Sequence, residues 1–424
     1  MQQAANVVRL VEENEAQAIH LLKRLIAFDS QVIEQGRQGR ESLVQEYIAG
    51  ELRAVGAKVD MFEPENTRLE QYPDFNPEHD YTGRPNVVGV FEGSGGGCSL
   101  ILNGHADTVS PGDIALWKYH PHSGTITTGG QGITGLGAVD MKGGLAAMLM
   151  AVKIAKGMKL RLKGDIIFQS VVDEEGGGNG TLACVDRGYK ADAAIIAEPT
   201  GLEIACAHRG AMHLRIRTRG ISTHASMKSK GVNAVEKMVE LMRALASLER
   251  EWSVVKKHPL LPSPTISFCQ LNGGNGASII PAECEAKVNI KYLPAERTED
   301  VRAEIEKRIN AIAGVNPWLR DNPPELEWLL NTSPYEASTA HPLVKVLKEA
   351  VKMAAGREVI TGLPSGADAR ILNNTGGIPT FICGPGELAQ AHHIDETLPL
   401  KEYLQAIEVY LRVIMNWVGC EGAH

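Results

Sequence analysis

Hydrophobic and polar positions follow two different patterns along the chain. Before residue 200 and after residue 340, short apolar runs suited to buried strands alternate with helical periods. Between these parts, strands such as 211–220 alternate strictly between apolar and polar residues, which is typical of a sheet with one exposed face. Segment 58–85 has no clear period and is predicted to be a loop. The predicted helices are two within 8–57, then 141–157, 180–188, 231–250, 297–313, 341–355 and 400–418, and the predicted strands are 86–93, 98–104, 164–172, 191–198, 211–220, 265–274, 282–294 and 379–386.

The order of these elements predicts the fold class. Strands that alternate with helices predict an α/β domain whose mostly parallel sheet is flanked by helices. The middle segment, which runs strand–helix–strand–strand–helix, predicts a small α+β domain inserted into the first. We therefore expect one α/β domain formed by residues 1–207 and 329–424, interrupted by an inserted domain of residues 208–328.

Composition narrows the classes of function. The 424 residues are 43% hydrophobic and 22% charged, with a net charge of −8. An acidic chain of this kind argues against a nucleic-acid partner or an acidic membrane, which both favour basic surfaces. The chain has no apolar run of about 18 residues that would span a membrane, and its seven scattered cysteines form no C-x-x-C pair. These observations predict a cytoplasmic globular protein without a disulfide framework.

Residues whose side chains could bind a metal or act in catalysis lie where the predicted strands end. Each residue has an ordinary alternative, such as a helix cap, a solvated acidic loop or a local hydrogen bond. The carboxyl ends of parallel strands share one edge of a sheet, however, and ligands bind at that edge. The residues are His105 with Asp107, Asp140, Glu174 and Glu175, Glu198, and His392.

Taken together, these side chains predict a metal centre. Neighbouring carboxylates repel each other, so their placement at one edge is costly unless a cation neutralises them. Two imidazoles and three carboxylates suit Zn²⁺, Co²⁺ or Mn²⁺. Two ions that share one carboxylate would use His105, Asp140, Glu175, Glu198 and His392. Glu174 is then left over as a general base.

Five motifs carry a resemblance to a known family. The stretches GHADTV, GAVDMKGG, DEEGGGNGT, AEPT and AHHIDE are similar to those of the co-catalytic zinc amidohydrolases. That family includes acetylornithine deacetylase, succinyl-diaminopimelate desuccinylase, aminoacylase and glutamate carboxypeptidase. The resemblance implies a zinc-peptidase-like catalytic domain with two divalent metal ions.

Roles for individual residues follow from the same resemblance. His105 and Glu198 would bind one metal ion, while Asp140 would bridge both ions. Glu175 and His392 would bind the other ion. The remaining two residues would be catalytic, with Glu174 as the base and Asp107 as the carboxylate that orients the first imidazole.

The inserted domain resembles a lid that also forms a homodimer. His224, in the stretch STHAS, resembles the histidine that reaches the partner subunit's active site and stabilises the oxyanion. On the substrate side, the resemblance points to Asp368, Arg370 and Gly386. Two lid positions depart from the family pattern, because Ser278 and Lys291 replace an Asn and an Arg that commonly bind substrate. These replacements bear on the identity of the substrate more than on the reaction.

These features predict a metallo-amidohydrolase that cleaves a linear amide bond, other than a peptide bond, in a small N-acylated amine or amino acid. Two alternatives within the same chemistry stay open. One is an N-formyl aminopyrimidine deformylase of thiamin salvage, which needs no arginine for a substrate carboxylate, and the other is a metal-dependent dipeptidase or carboxypeptidase. A catalytically dead binding protein is disfavoured because every expected ligand is present, and a phosphate binder is disfavoured by the acidic pocket.

Overall fold

The chain forms two compact units. The structure is a computed structural model that describes residues 2–34, 36–159 and 161–421. The first unit comprises the chain up to Cys206 together with Glu336–Gly362 and the part from Ala367 onward. The second comprises Ala207–Tyr335 and Leu363–Gly366. The predicted domain limits, 1–207, 208–328 and 329–424, stay a prediction.

Both units contain helices and strands, and in the first unit these alternate along most of the chain. The helices are α1 (Gln2–Glu13), α2 (Glu15–Ala27), α3 (Ser42–Ala54), α4 (Asn66–Leu69), α5 (Lys142–Gly157), α6 (Asn179–Asp186), α7 (Ala234–Val255), α8 (Thr298–Val315), α9 (Pro317–Asp321), α10 (Pro342–Ala355) and α11 (Leu400–Val413). The strands are β1 (Val32–Ile33), β2 (Gln38–Gly39), β3 (Lys58–Phe62), β4 (Asn86–Phe91), β5 (Leu100–His105), β6 (Thr125–Ile126), β7 (Gly132–Thr134), β8 (Arg161–Leu162), β9 (Ile166–Val171), β10 (Ala193–Pro199), β11 (Ile204–His208), β12 (Gly210–Arg219), β13 (Thr265–Gly273), β14 (Glu283–Tyr292), β15 (Glu325–Thr332), β16 (Tyr335–Glu336), β17 (Ile360–Leu363), β18 (Thr380–Gly384), β19 (Thr397–Pro399) and β20 (Cys420–Glu421). Among the described helices, none is long and apolar enough to cross a membrane.

The largest sheet has nine strands within the described residues. Its main order is β16-β11-β18-β10-β5-β9-β4-β3, with β17 paired to β11. The four central strands, β18, β10, β5 and β9, run parallel, whereas β3, β4 and β11 pair antiparallel at its flanks. This mixed, mostly parallel sheet confirms the predicted α/β class. Because the four central strands are parallel, their carboxyl ends lie at the same edge of the sheet.

Helix α5 is the central helix of the first unit. It packs on β5 and β10, and α2 and α11 pack on it in turn. Thirteen of its sixteen residues are buried, which explains why the helix is rich in Ala and Met and has few charges. Because α5 begins two residues after Asp140, its packing fixes the position of that carboxylate relative to the strand ends.

One glycine allows α5 to approach the sheet closely. A Cβ atom at Gly144 would lie 2.2 Å from the carbonyl oxygen of Ala197 and 2.6 Å from its Cβ. Real side chains do not occupy such positions, so only glycine permits this helix–strand distance. Ala197 precedes Glu198, and the close approach therefore sets the spacing between the segments that carry Asp140 and Glu198.

The second unit is built on a four-stranded antiparallel sheet. Its order is β13-β14-β12-β15, and α7 packs on β12, β13 and β14. Along β12, Leu214 and Ile216 are fully buried while Arg217 and Arg219 are exposed. This alternation agrees with the pattern expected for a sheet that is covered on one side.

Several parts of the chain differ from the predicted elements. The first predicted helix is divided at Asn14, whose side chain donates a hydrogen bond to the carbonyl of Leu10 (2.8 Å). Segment 58–85, predicted to be a loop, contains strand β3 and the short helix α4. Strands β11 and β15 were not expected. Strands β3 and β15 lie at sheet edges and are partly exposed, so their apolar signal is weak.

Two glycine substitutions test the packing of α5. Gly144→Ala should destabilise the protein by about 1–3 kcal/mol, because the added methyl group collides with the backbone of β10. Gly50→Ala, in the exposed position of α3 where no atom lies within 4 Å of an added Cβ, should stabilise it by about 0.5–1 kcal/mol. Calorimetry of both variants measures the shift in Tm. Equal shifts of the same sign would contradict the close approach.

Candidate metal centre

The predicted ligands come from the carboxyl ends of the central strands and the adjoining loops. His105 is the last residue of β5, and Glu198 lies near the end of β10. Glu174 and Glu175 follow β9. The other two ligands lie in the loop before α5 and in the loop between β18 and β19; they are Asp140 and His392.

Asp140 lies between the two imidazoles. Its Oδ1 atom is 3.1 Å from Nε2 of His105, and its Oδ2 atom is 3.4 Å from Nε2 of His392. Each carboxylate oxygen therefore faces a different ring. A carboxylate placed in this way could be shared between two cations, which is the role that the family resemblance implies for Asp140.

Two further carboxylates complete the cluster, one beside each imidazole. Nε2 of His392 lies 2.9 Å from Oε1 of Glu175, and Nε2 of His105 lies 3.9 Å from Oε1 of Glu198. One ligand atom each from His105, Asp140 and Glu175 lies within 4.8 Å of the others. The same holds for His105, Glu174 and Glu198. The structure thus brings the five predicted ligands together with the predicted base.

Burial and mutual repulsion dominate the electrostatics of this cluster. Burial, with the charge of Glu198, raises the pKa of Glu174 well above its ordinary value of 4.5. Burial and neighbouring acids likewise raise the pKa values of Glu175 and Glu198. Burial also acts to raise the pKa of Asp140, but hydrogen bonds to the two imidazoles outweigh it, so that this pKa is lowered. The protein alone therefore leaves several of these acids without compensation.

The residues fit a cation rather than a closed hydrogen-bond network. Oε1 of Glu198 is buried and has no hydrogen-bond partner among the described residues. A buried acceptor without a partner costs about 1–3 kcal/mol, and more when it is charged. Two imidazoles and several carboxylates form a donor set that divalent transition metals prefer. A cation between His105 and Glu198 would supply the missing partner.

His392 adopts a backbone conformation that non-glycine residues rarely use. Its φ angle is +60°, and that of Asp395 is +57°. The Asp395 carboxylate accepts a hydrogen bond from the backbone N–H of Lys118 (2.9 Å). Strained residues of this kind persist where the surrounding structure fixes them, and they often lie at functional sites.

Asp107 contacts both the first imidazole and the loop of the two glutamates. Nδ1 of His105 lies 3.0 Å from the backbone carbonyl oxygen of Asp107 and 3.6 Å from its carboxylate. The carboxylate instead accepts hydrogen bonds from the backbone N–H groups of Glu174 (3.3 Å) and Glu175 (3.0 Å). The ring is thus held by the carbonyl, while the side chain fixes the loop of the two glutamates.

The predicted substrate residues of the first unit differ in their surroundings. Arg370 is buried and donates to the carboxylate of Asp74 (3.2 Å) and to the carbonyl of Gly177 (2.7 Å). Asp368 is 1% exposed, and neither of its carboxylate oxygens has a hydrogen-bond partner among the described residues. Its charge contributes to the raised pKa of Glu174, which places it near the base. Gly386, at φ +85°, donates its N–H to Glu402 (3.0 Å).

The predicted residues of the second unit lie in two places. His224 is exposed, and its Nδ1 atom lies 2.7 Å from the hydroxyl of Ser226. The segment of Ser278 is adjacent, since its carbonyl accepts the N–H of Ala225 (2.8 Å). Lys291 is half-buried on β14, separate from that contact, and burial lowers its pKa.

Sequence reasoning missed one buried carboxylate at the centre. Glu396 is 1% exposed and accepts hydrogen bonds from three backbone N–H groups of the loop that ends in Asp140. Its position in the stretch AHHIDE was noted, but it was given no role. The local sequence offered little signal, because Glu396 lies between two polar residues, Asp395 and Thr397, and no apolar pattern marks it as buried.

Comparisons with known proteins agree with this geometry. The sequence model of peptidase family M20/M25/M40 matches residues 101–416. The chain is 32% identical to N-formyl-4-amino-5-aminomethyl-2-methylpyrimidine deformylase of Halalkalibacterium halodurans, over 96% of each chain. It is 30% identical to acetylornithine deacetylase of Proteus mirabilis, over 82% of this chain and 87% of that protein. Among solved structures, the dipeptidase Dug1p of Saccharomyces cerevisiae superposes with a TM-score of 0.78 at 14% identity, over 99% of each chain.

Fold and site together define a metal-dependent amidohydrolase. The chain belongs to peptidase family M20/M25/M40. The resemblance inferred from the five motifs is therefore confirmed at the level of the family, as are the hydrolase class and the α/β fold.

Metal binding should release protons. Hydrogen bonds to Asp140 and Glu175 raise the pKa of His392 to about 10 in the metal-free protein, so this imidazole is protonated at pH 7 and must lose its proton to become a ligand. Apparent affinity for Zn²⁺ should therefore weaken as pH falls from 9 to 6. Titration calorimetry in buffers of different ionisation enthalpy should detect at least one proton released. Affinity that does not change over this range would contradict the prediction.

Proposed function

We propose that the chain hydrolyses a linear amide bond in a small N-acyl substrate. The observation that carries the proposal is the position of Asp140, with one oxygen towards each imidazole and the acidic Glu174 in the same cluster. This arrangement combines a site for two cations with a carboxylate that can accept and return a proton. Membership of the M20/M25/M40 family supports the same reaction class.

In the proposed mechanism, His105 and Glu198 would hold one cation, Glu175 and His392 would hold the other, and Asp140 would serve both. When bound, the cations would polarise the attacking water and the amide carbonyl. Glu174 takes a proton from the water as its oxygen attacks the acyl carbon. Glu174 then delivers that proton to the amide nitrogen as the C–N bond breaks, which leaves a carboxylic acid and an amine.

We further propose that the substrate is an N-formylated aminopyrimidine. The full-length match to the deformylase of Halalkalibacterium halodurans supports this choice. Two residues of the first unit point the same way. Arg370 is occupied by Asp74 and Gly177, so it is not free for a substrate carboxylate. Asp368 has two unused acceptor oxygens near Glu174, which suit the N–H groups of an aminopyrimidine.

A second candidate is the removal of an acetyl group from an N-acetyl amino acid. The match to acetylornithine deacetylase of Proteus mirabilis favours it, although that match covers less of the chain than the deformylase match does. A dipeptidase or carboxypeptidase would use the same metal centre, and substrate profiling separates these activities. Ser278 and Lys291 would decide among them, as lid residues that contact substrate.

The remaining features of the proposal concern metal, assembly and location. Zn²⁺ is the proposed metal, with Co²⁺ or Mn²⁺ as substitutes, because imidazole and carboxylate ligands suit all three.

We propose a homodimer formed through the inserted domain, in which His224 serves the partner subunit's centre as an oxyanion donor. A cytoplasmic location is supported by the seven cysteines, which are all free thiols.

Replacement of the base should separate catalysis from metal binding. Glu174→Gln should reduce kcat by about 10²–10⁴-fold, because the amide cannot carry the transferred proton. Bound metal, measured by elemental analysis, should stay at the wild-type level. Glu92→Gln, which alters an exposed glutamate paired with Lys58, serves as the control and should keep full activity. A Glu174→Gln variant with wild-type kcat would exclude the assigned base.

A substrate panel tests the proposed pyrimidine. The zinc-loaded protein should cleave N-formyl-4-amino-5-aminomethyl-2-methylpyrimidine with a kcat/KM at least tenfold above that for N-acetylornithine and for dipeptides. Asp368→Asn should lower kcat/KM for the pyrimidine by about 10–100-fold, since a charged acceptor is lost. Asp192→Asn, at the opposite end of β10 where the carboxylate binds Ser99, is the matched control. A preference for N-acetyl amino acids would favour the second candidate.

A further inference from the structure

The carboxylate of Glu396 is enclosed by the loop that carries the shared ligand. Its Oε1 atom accepts hydrogen bonds from the backbone N–H groups of Val139 (2.6 Å) and Asp140 (3.0 Å). Its Oε2 atom accepts the N–H of Gly137 (3.0 Å). Both oxygens of the Glu396 side chain thus accept backbone N–H groups from one short loop. This carboxylate therefore dictates the course of the backbone up to Asp140.

The same residue is tied to the segment that carries His392. The N–H of Glu396 donates to the carbonyl of His393 (3.2 Å), and its own carbonyl accepts the N–H of Gly135 (3.0 Å). Main chain and side chain of Glu396 thus both engage the loop of residues 135–140. Two ligand segments that lie about 250 residues apart in sequence meet at this one side chain.

Glu396 is not itself placed as a ligand. Both of its oxygens are taken up by backbone N–H groups, in contrast to the unpartnered oxygen of Glu198. A glutamine at this position would retain one acceptor oxygen, but its NH₂ group would face an amide N–H about 3 Å away. Two donors would then oppose each other, and at least one backbone group would lose its partner.

We propose that Glu396 is a positioning residue, which holds Asp140 between His105 and His392 and thereby sets the affinity of the centre for its cations. The inference rests on the proposed metal-dependent function. It adds a determinant that lies outside the set of ligands and outside the base. Groups that orient metal ligands commonly contribute 10–100-fold to metal affinity.

Zn²⁺ titration of the full-length protein against a chromophoric chelator tests this role. Glu396→Gln should weaken Zn²⁺ binding about 10–100-fold, and excess Zn²⁺ should restore part of the lost kcat while KM changes little. Glu408→Gln is the matched control, because Glu408 is a buried carboxylate of the same unit that pairs with Arg412 within α11. The control should bind Zn²⁺ as the wild type does.

The possible outcomes separate this inference from the proposed function. Zn²⁺ affinity of Glu396→Gln within twofold of the wild type would overturn the positioning role. Failure of the wild type to bind Zn²⁺ would instead overturn the proposed metal-dependent function. If Glu396→Gln does not fold, hydrogen exchange on the metal-free wild type decides the matter: slow exchange of the Val139 and Asp140 amides is expected, and rapid exchange would contradict the hydrogen bonds to Glu396.

Discussion

Repulsion among buried carboxylates is the constraint on which this structure depends. Asp140, Glu174, Glu175 and Glu198 converge on His105, and burial raises the pKa of the three glutamates. Such an arrangement is expensive for a protein by itself, since each uncompensated buried charge costs several kcal/mol. Under the proposed function, divalent cations at the centre would offset this cost, and metal binding would then add to the stability of the fold.

Two features of the fold produce this arrangement of side chains. Parallel strands deliver ligands to one edge, as His105 and Glu198 illustrate on neighbouring strands. Buried carboxylates then fix the loops, since Asp107 accepts the amides of the double-glutamate loop and Glu396 accepts those of the loop before α5. Both use backbone N–H groups, so the ligand side chains stay free. Under the proposed function, Asp107 and Glu396 would position the metal ligands without binding metal themselves.

The sequence predicted the parts of this site that depend on local pattern. The central strands and α5 were expected within a few residues, because buried apolar runs and helical periods are strong signals. The candidate ligands followed from their places at strand ends and from the family motifs. What the sequence could not supply was the pairing of distant polar groups. The contact between Arg370 and Asp74 is an example, because these residues lie 296 positions apart and no local pattern connects them.

Edge strands and loop conformations were also difficult to predict from the sequence. Strand β3 is half-exposed and lies at the edge of the sheet beside β4, so its five residues offered too little apolar periodicity to be separated from the surrounding loop. Glu396 lay in a motif already recognised, but which amides its carboxylate binds depends on the conformation of a glycine-rich loop. Long-range hydrogen bonds, rather than secondary structure, are where three-dimensional information was indispensable.

The central claim is that two cations share Asp140. Anomalous X-ray diffraction from crystals of the Zn²⁺-loaded protein, recorded above and below the zinc edge, tests it most directly. The account predicts two anomalous peaks, one beside His105 with Glu198 and one beside His392 with Glu175, each next to a different oxygen of Asp140. A single peak remote from Asp140, or no peak in the cluster at full Zn²⁺ loading, would contradict it.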